Sequence, residues 1–314
     1  MKYKCRYIDS GICFFYKTIN FCCKSAHNGK GELFLSKYDD FNVNEVLQKK
    51  EEYKKALYEG NIPDECTGCV FLEETEEITK DNSISVVDID SFTRCNSKCV
   101  YCEVHTLGIP DHPILPIFET LFKNKILKND KEGYIQFAGG EPTIMKDFEK
   151  VVELCIKNGI ENYMIHSNGI RFSKSIEKLI KTENVKLIIS LDSACRETFK
   201  KVKNVDCFNK VVESMKKYAK AQKDGECTVR SKYIIIPEVN DNIDEILKWY
   251  DLSVNMGIRM LILDVEMGWF KKNNQTLTPE ILQIVKTIQE KAKKDNIVLD
   301  YYESLKVWFN NNPV

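Results

Sequence analysis

Residues 84–102 read ISVVDIDSFTRCNSKCVYC, an apolar run from Ile84 to Ile89 that leads into a loop carrying Cys95, Cys99 and Cys102. β-Branched residues dominate the run and predict a strand over Ser83–Ile89. The Cys-x3-Cys-x2-Cys spacing puts three thiolates on one short loop, enough to hold an iron–sulfur cube by three of its four irons. A protein that only carries electrons would supply a fourth cysteine nearby, whereas the next one, Cys155, lies far along the chain. The fourth iron is left open for chemistry.

From this strand onward, short β-rich runs alternate with amphipathic patterns, which predicts βα units and parallel pairing. Strands are predicted over Ser83–Ile89, Gly133–Ala138, Tyr163–His166, Lys186–Leu191, Thr228–Ile236 and Arg259–Val265. Helices are predicted over Lys146–Asn158, with Phe148, Val151, Val152, Cys155 and Ile156 on one face, and over Lys174–Lys181, Phe208–Lys223 and Ile243–Met256. Gly159 and Gly257 stand where helices stop. Residues 1–80 lack this rhythm: a hairpin-like start is followed by a charged helix from about Val43 to Glu59, capped by Asn42 or Asn44, then Pro63 and a Cys66-Thr-Gly-Cys69 knuckle. The acidic run Glu73–Glu77 reads as a solvated joint. The tail, Thr278–Val314, reads as a helix, a short strand over Ile297–Tyr301 and a final helix with Trp308 and Phe309. The expected domains are a Cys-rich module at 1–80, a main α/β domain at 81–270 and an α/β tail at 271–314.

The chain has 314 residues, 43% hydrophobic and 30% charged, with a formal net charge of -1. That balance disfavours disorder and gives no electrostatic footprint for nucleic acid. Met1–Phe15 holds cysteines and an acid where a secretory signal needs an unbroken apolar stretch, and no membrane-length apolar run occurs. A cytoplasmic location is expected. There thiols stay reduced, so the thirteen cysteines point to metal or redox use rather than disulfides. Cys155, Cys195, Cys207 and Cys227 are scattered singly and read as small, partly buried residues.

The loop motif, with Tyr101 just before its last cysteine, is followed by Gly139-Gly140-Glu141-Pro142-Thr143 at the next strand end. Ser167-Asn168-Gly169 follows the third strand and Ser190-Leu191-Asp192 ends the fourth, and Tyr233-Ile-Ile-Ile-Pro237-Glu-Val-Asn240-Asp241 runs from the fifth. This series, over about residues 84–266, resembles the radical S-adenosyl-L-methionine (radical SAM) enzymes. The resemblance implies an α/β fold, a partial (β/α)6 TIM-like barrel with a small Cys-rich N-terminal metal-binding module. It implies a 4Fe–4S cluster on Cys95, Cys99 and Cys102 whose open iron is chelated by S-adenosyl-L-methionine. It assigns cofactor contacts to Gly139, Gly140 and Glu141 at the methionine amino group, Tyr101 near adenine, Asn168, and Ser190 and Lys203 at the carboxylate. Glu141 also reads as a turn acid that satisfies local N–H groups. Where many members carry glycine after the fifth-strand proline, this chain has Glu238, a departure at the backbone that contacts adenine.

Strand periodicity adds Arg230 and Lys232 on one face of the fifth strand. Two such cations need an anionic partner, which the cofactor carboxylate, a substrate carboxylate or phosphate, or Asp192, Asp264 and Glu266 could supply. Asp264 and Glu266 share a face of the sixth strand, as catalytic groups that grip substrate or move a proton, or as plain surface carboxylates. His166 near the site reads as structural. The N-terminal Cys5, Cys22, Cys66 and Cys69 resemble half of a SPASM/twitch-like auxiliary module, with an auxiliary 4Fe–4S cluster or a zinc knuckle as the alternatives; Cys13 and Cys23 stay open as ligands. The activity implied is oxidoreductase-like: reductive cleavage of the cofactor by a low-potential electron donor to a 5′-deoxyadenosyl radical, which takes hydrogen from a substrate. A peptide undergoing oxidative modification is the first expectation, and a small anionic metabolite such as a sugar nucleotide the second. A non-catalytic iron–sulfur or zinc protein is the alternative of a different class, and no nucleic-acid or membrane partner is expected.

Overall fold

The computed structural model describes residues 1–22, 33–77, 81–223 and 226–312, and its contacts divide the chain into two units, Met1–Arg94 with Thr106–Met164 and Cys95–His105 with Ile165–Val314. The first unit holds β1 (Tyr3–Cys5), α1 (Arg6–Ser10), β2 (Gly11–Phe15), β3 (Thr18–Asn20), β4 (Phe34–Lys37), α2 (Val43–Tyr58) and β5 (Leu72–Glu74). It continues through β6 (Val86–Asp90), α3 (Leu115–Lys123), β7 (Tyr134–Phe137) and α4 (Phe148–Lys157) into the start of β8 (Asn162–Ser167). Strands β7, β6, β2, β3 and β4 lie side by side in that order, parallel from β7 to β2 and antiparallel beyond. Val86, Val87 and Ile89 of β6 are all buried, as the apolar run requires of a strand covered on both faces.

The N-terminal residues differ from the expected separate module. β2 pairs in parallel with β6, Gly11 opposite Val86 through Phe15 opposite Asp90, so they share a sheet with the first strand of the main domain. The acidic run is partly strand, not joint: Glu73 and Glu74 lie opposite Lys4 and Tyr3, and Lys4 and Glu73 approach to 3.4 Å. A short helix, α1, interrupts the hairpin-like start that was expected. Pairing between strands far apart in sequence leaves no mark on local periodicity, which is all that the sequence offered here.

The second unit contains the cysteine loop, the end of β8, α5 (Lys174–Thr182), β9 (Asn184–Ser190), α6 (Arg196–Lys203), α7 (Phe208–Ala221) and β10 (Val229–Ile235). It ends with α8 (Ile243–Asn255), β11 (Met260–Val265), α9 (Met267–Lys272), α10 (Pro279–Lys294), β12 (Val298–Tyr301) and α11 (Glu303–Asn311). Strands β8 to β12 follow one another in chain order, parallel from β9 onward. The helices start on side-chain caps, Ser173 for α5, Asn242 for α8 and Thr278 for α10. Each of the six predicted strands is present with ends shifted by a few residues.

Register gives this sheet two unlike faces. Ser190, Lys232, Ile262 and Asp300 form one cross-strand row, with Arg230 and Asp264 on the same face. On the other face Leu187, Ile189, Val229, Tyr233, Leu261, Leu263 and Val265 are fully buried, and the Trp249 indole of α8 donates to the Ser231 hydroxyl at 2.8 Å. The apolar face takes the helices. The polar face carries the charged side chains of these strands.

Beyond β10 the chain turns through Glu238, exposed and left-handed at φ +67°. A side chain in that region costs about 1–2 kcal/mol, partly offset because glycine loses about 0.5–1 kcal/mol more freedom on folding. Glu238→Gly is therefore expected to keep the melting temperature or raise it by up to a few degrees. Glu238→Val should lower it, and a clear loss on the glycine change would contradict the strain argument.

Candidate functional site

The loop cysteines are each partly exposed, and the loop is organised around their sulfurs. Ser97, itself buried, lies 3.4 Å from both the Cys95 and Cys99 sulfurs, and the Asn168 amide approaches Cys95 Sγ at 3.5 Å while donating to Asn96 Oδ1 at 2.6 Å. Burial pushes the Cys102 thiol up, with the backbone N–H groups of Val104 and His105 opposing it at the sulfur. Such donors lower the cost of a thiolate.

The loop is also held from behind. The Lys98 and Val100 amides donate to the Lys203 and Val202 carbonyls at the end of α6, at 3.0 and 2.9 Å. Tyr101 donates its hydroxyl to Asp192 Oδ2 at 2.7 Å, and Lys203, 1% exposed, pairs with the same oxygen and reaches the Tyr101 hydroxyl at 3.1 Å. Asp192 Oδ1 accepts the Ile234 amide at 2.8 Å, and the Asp192 carbonyl accepts the Asn240 amide at 2.9 Å. Asp192 is 0% exposed and left-handed at φ +55°. It joins the loop, α6 and the end of β10 in one buried hub. Burial alone would lower the Lys203 ammonium, but Asp192 and the nearby Cys99 hold it above its ordinary value. Tyr101 packs on Val202, Ile234 and Ile236, an apolar platform beside the hub.

In the first unit the Gly139–Glu141 turn fits its own chain closely. Gly139 has φ +79°, the Gly140 amide donates to the Phe92 carbonyl at 3.0 Å and the Glu141 amide to the Arg94 carbonyl at 2.9 Å. A Cβ on Gly140 would overlap the Arg94 carbonyl and stand 2.9 Å from the Phe92 ring. The Glu141 carboxylate, 1% exposed, accepts the Thr143 amide at 3.1 Å and its hydroxyl at 2.7 Å, so it caps the short helix that follows.

On the polar face of the second unit, Lys232 Nζ stands 4.0 Å from the Tyr302 ring centroid, and His166 lies 6.2 Å from the same ring. Burial lowers the Lys232 ammonium against the opposing fields of Asp264, Asp192 and Glu303, and burial with Lys232 nearby brings His166 down to about 4. Asp264 accepts the Leu305 amide at 3.0 Å, and burial raises it to about 6. Arg230 donates to the Cys227 carbonyl at 3.3 Å in the field of Asp300. Glu266 is the cap of α9, accepting the Gly268 and Trp269 amides at 2.7 and 2.5 Å. Ser190 sits in register with Lys232. Sequence reasoning named Asn240 within the fifth-strand motif without a role and did not single out Tyr302 or Asp300; the only signal for those was a tyrosine pair at the exit of the tail strand.

The N-terminal cysteines also converge. Cys5, Cys22, Cys66 and Cys69 line one small cavity of about 20 Å³ with Tyr7 and Phe71, whose rings meet edge to face at 5.2 Å. The Cys69 amide donates to the Cys66 carbonyl at 3.0 Å across Gly68, and the Tyr7 and Ile8 amides donate to the Cys5 sulfur. Burial and the neighbouring cysteines push Cys66 up to about 12. Cys13 lies instead on β2 beside Tyr38, and Cys23 falls outside the described residues. Among the described residues, no three His, Cys, Asp or Glu side chains gather as they would around a single metal ion.

The strands are mostly parallel and three thiols stand on the loop that follows β6, which defines an α/β protein with a cysteine loop at a strand exit. The model of the radical SAM superfamily matches residues 89–250, and the chain belongs to that superfamily. It is 29% identical over 170 residues to a probable GTP 3',8-cyclase of Saccharolobus islandicus, covering 54% of this chain and 53% of that one. With the GTP 3',8-cyclase of Clostridium botulinum the identity is 32% over 181 residues, again 54% and 53% of the two chains. The chain thus spans about half the length of the curated relatives it matches. Streptococcus suis SuiB bound to S-adenosylmethionine superposes with a TM-score of 0.54 at 13% identity, covering 88% of this chain and 59% of that one. SuiB bound to the precursor peptide SuiA gives 0.53 at 13%, covering 96% and 71%. These likenesses show the fold. No helix among the described residues is long and apolar enough to cross a membrane.

Proposed function

We propose that the protein is a radical SAM enzyme whose Cys95, Cys99 and Cys102 hold a 4Fe–4S cluster one protein ligand short, in a partial (β/α)6 barrel. The observation that carries this is the loop itself: three thiols organised by Ser97 and Asn168 and fastened by the Asp192–Lys203–Tyr101 hub. The donor set suits the cluster, since partly exposed sulfurs with N–H and hydroxyl neighbours are the features that bind iron and set its potential. When bound, the cluster and S-adenosyl-L-methionine supply one electron and a 5′-deoxyadenosyl group able to take a hydrogen atom from substrate. Tyr101, Asn168, Ser190 and Lys203 of the second unit are its cofactor residues. Tyr101 with Val202, Ile234 and Ile236 offers an apolar surface for a purine ring. Lys203 carries positive charge for a carboxylate, with Asp192 keeping it ionised. Substrate meets the polar face: Lys232 and Arg230 bind anionic groups, and Asp264, raised to about 6, holds or gives up a proton near neutral pH.

For the substrate, oxidative modification of a peptide is the first reading. The four-cysteine cavity supports it, because a second cluster there would take up the electron that an oxidised substrate must lose. Conversion of a small anionic metabolite is the second reading, favoured by Lys232 and Arg230 and by the cyclase names of the relatives. Anaerobic reconstitution should give about eight irons per chain rather than about four, and dithionite with added S-adenosyl-L-methionine should then release 5′-deoxyadenosine. Mass spectrometry of peptide and nucleotide libraries after turnover separates the two substrate readings. No 5′-deoxyadenosine from a fully reconstituted protein would contradict the proposal.

A further inference from the structure

Beside the four-cysteine cavity lies a charge that the proposed chemistry leaves unused. Lys50, midway along α2, is 0% exposed, and its ammonium donates to the neutral Gly11 carbonyl at 3.2 Å, 5.7 Å from the Phe21 ring centroid. Gly11 is where the two halves of the cavity wall press together. A Cβ there would stand 2.9 Å from both the Phe21 carbonyl and the Tyr7 Cα, so α1, which follows Cys5, and the residue before Cys22 share that contact. An ammonium anchored at Gly11 therefore stands beside both cysteine-bearing segments; burial and Lys54 bring it down to about 7, with Asp9 and Asp81 the larger opposing fields and the Cys5 sulfur a smaller one. Lys54, one turn further along α2, is held by the Asp81 carbonyl at 2.5 Å and Asn82 Oδ1 at 3.0 Å, facing away to another loop.

A buried ammonium costs several kcal/mol of desolvation unless anions face it. A cube held by four thiolates is such an anion, and gains a further negative charge on reduction. We propose that Lys50 is the counter-ion of a cluster closed by Cys5, Cys22, Cys66 and Cys69, favouring its reduced state so that the site passes single electrons and does not hold substrate. This rests on the reading of that cavity as a second cluster. The step moves one electron onto the oxidised cluster from a substrate radical and off again to a low-potential carrier, with no bond made or broken at the site. Three cysteines in the wall are 6% exposed, and with all four as ligands no iron is left for substrate.

The test uses the full chain with Cys95, Cys99 and Cys102 replaced by alanine, so that only the cavity cysteines bind iron. After anaerobic reconstitution this protein is expected to keep about four irons. In that background Lys50→Met should lower the ratio of reduced to oxidised cluster at a fixed potential tenfold or more, about 59 mV for a one-electron couple, while Lys50→Arg stays near the parent. If Lys50→Met does not fold, Lys50→Gln, which keeps a donor to Gly11, carries the same expectation. A parent without iron would overturn the second cluster and the proposal with it. Iron present but a potential unmoved by loss of the charge, or moved as far by arginine, would overturn the role of Lys50 alone.

Discussion

Asp192→Ala is expected to destabilise the protein by about 3–5 kcal/mol, the cost of leaving one member of a buried ion pair alone. The Lys203 ammonium would lose its carboxylate at a site 1% exposed, and the Ile234 amide would lose its acceptor. An unsatisfied buried amide adds about 1–3 kcal/mol of its own. Against a total stability of about 5–15 kcal/mol, that is enough to lower the urea midpoint sharply or to unfold the protein. The pair can be removed together at lower cost. Asn at position 192 tolerates φ +55° and keeps an acceptor for Ile234, so Asp192→Asn with Lys203→Met should recover most of the loss. The double variant should nonetheless bind S-adenosyl-L-methionine poorly, because Lys203 is the carboxylate contact in this account. A loss below about 1 kcal/mol for Asp192→Ala would mean that the hub does not hold the loop.

Gly140→Ala is the second large effect. The added methyl would overlap the Arg94 carbonyl and crowd the Phe92 ring, so backbone must shift, at about 1–3 kcal/mol for an overpacked site. The segment that moves, Phe92–Arg94, leads directly into Cys95. The loop's share of the iron retained after reconstitution should therefore fall by more than half while the cavity cysteines keep theirs. Gly159→Ala provides the control: φ is +75° there and nothing stands within 4 Å of a new Cβ, so it should cost stability through the backbone alone and leave iron unchanged. Equal iron in the two variants would contradict the role given to Gly140.

Much of this was legible in the sequence because it is local. The βα rhythm marked the six strands, the cysteine spacing marked the loop, and Asn42 and Asn242 lie at the helix starts where short polar side chains belong. Four helices were missed, the first of them α1. Pro113 and Pro116 stand beside Leu115, where no helix was predicted, yet a proline in the first turn of α3 is compatible with a helix. Helix α6 shows only Phe199 and Val202 as apolar anchors in a charged octapeptide, too little for a periodic signal. Helix α9 is a single short turn whose cap, Glu266, looked like a functional acid. The hub was hidden for another reason. Lys203 meets Tyr101 and Asp192 through tertiary packing, and nothing near Lys203 in sequence tells an exposed lysine from a buried one. Arg230 and Lys232 were expected to need an anion from the cofactor, a substrate, or Asp192, Asp264 and Glu266; Asp264 and Asp192 do act on Lys232, while Arg230 lies in the field of Asp300, which the sequence did not point to.

The central claim is that the loop cluster keeps one iron free of protein. It is tested most directly by electron paramagnetic resonance of the reduced loop cluster, with Cys66 and Cys69 replaced by alanine to silence the other site. The account predicts a signal that changes shape when S-adenosyl-L-methionine is added and is absent once Cys95, Cys99 and Cys102 are also replaced. A loop that binds zinc, or a cluster whose signal is indifferent to S-adenosyl-L-methionine, would contradict it.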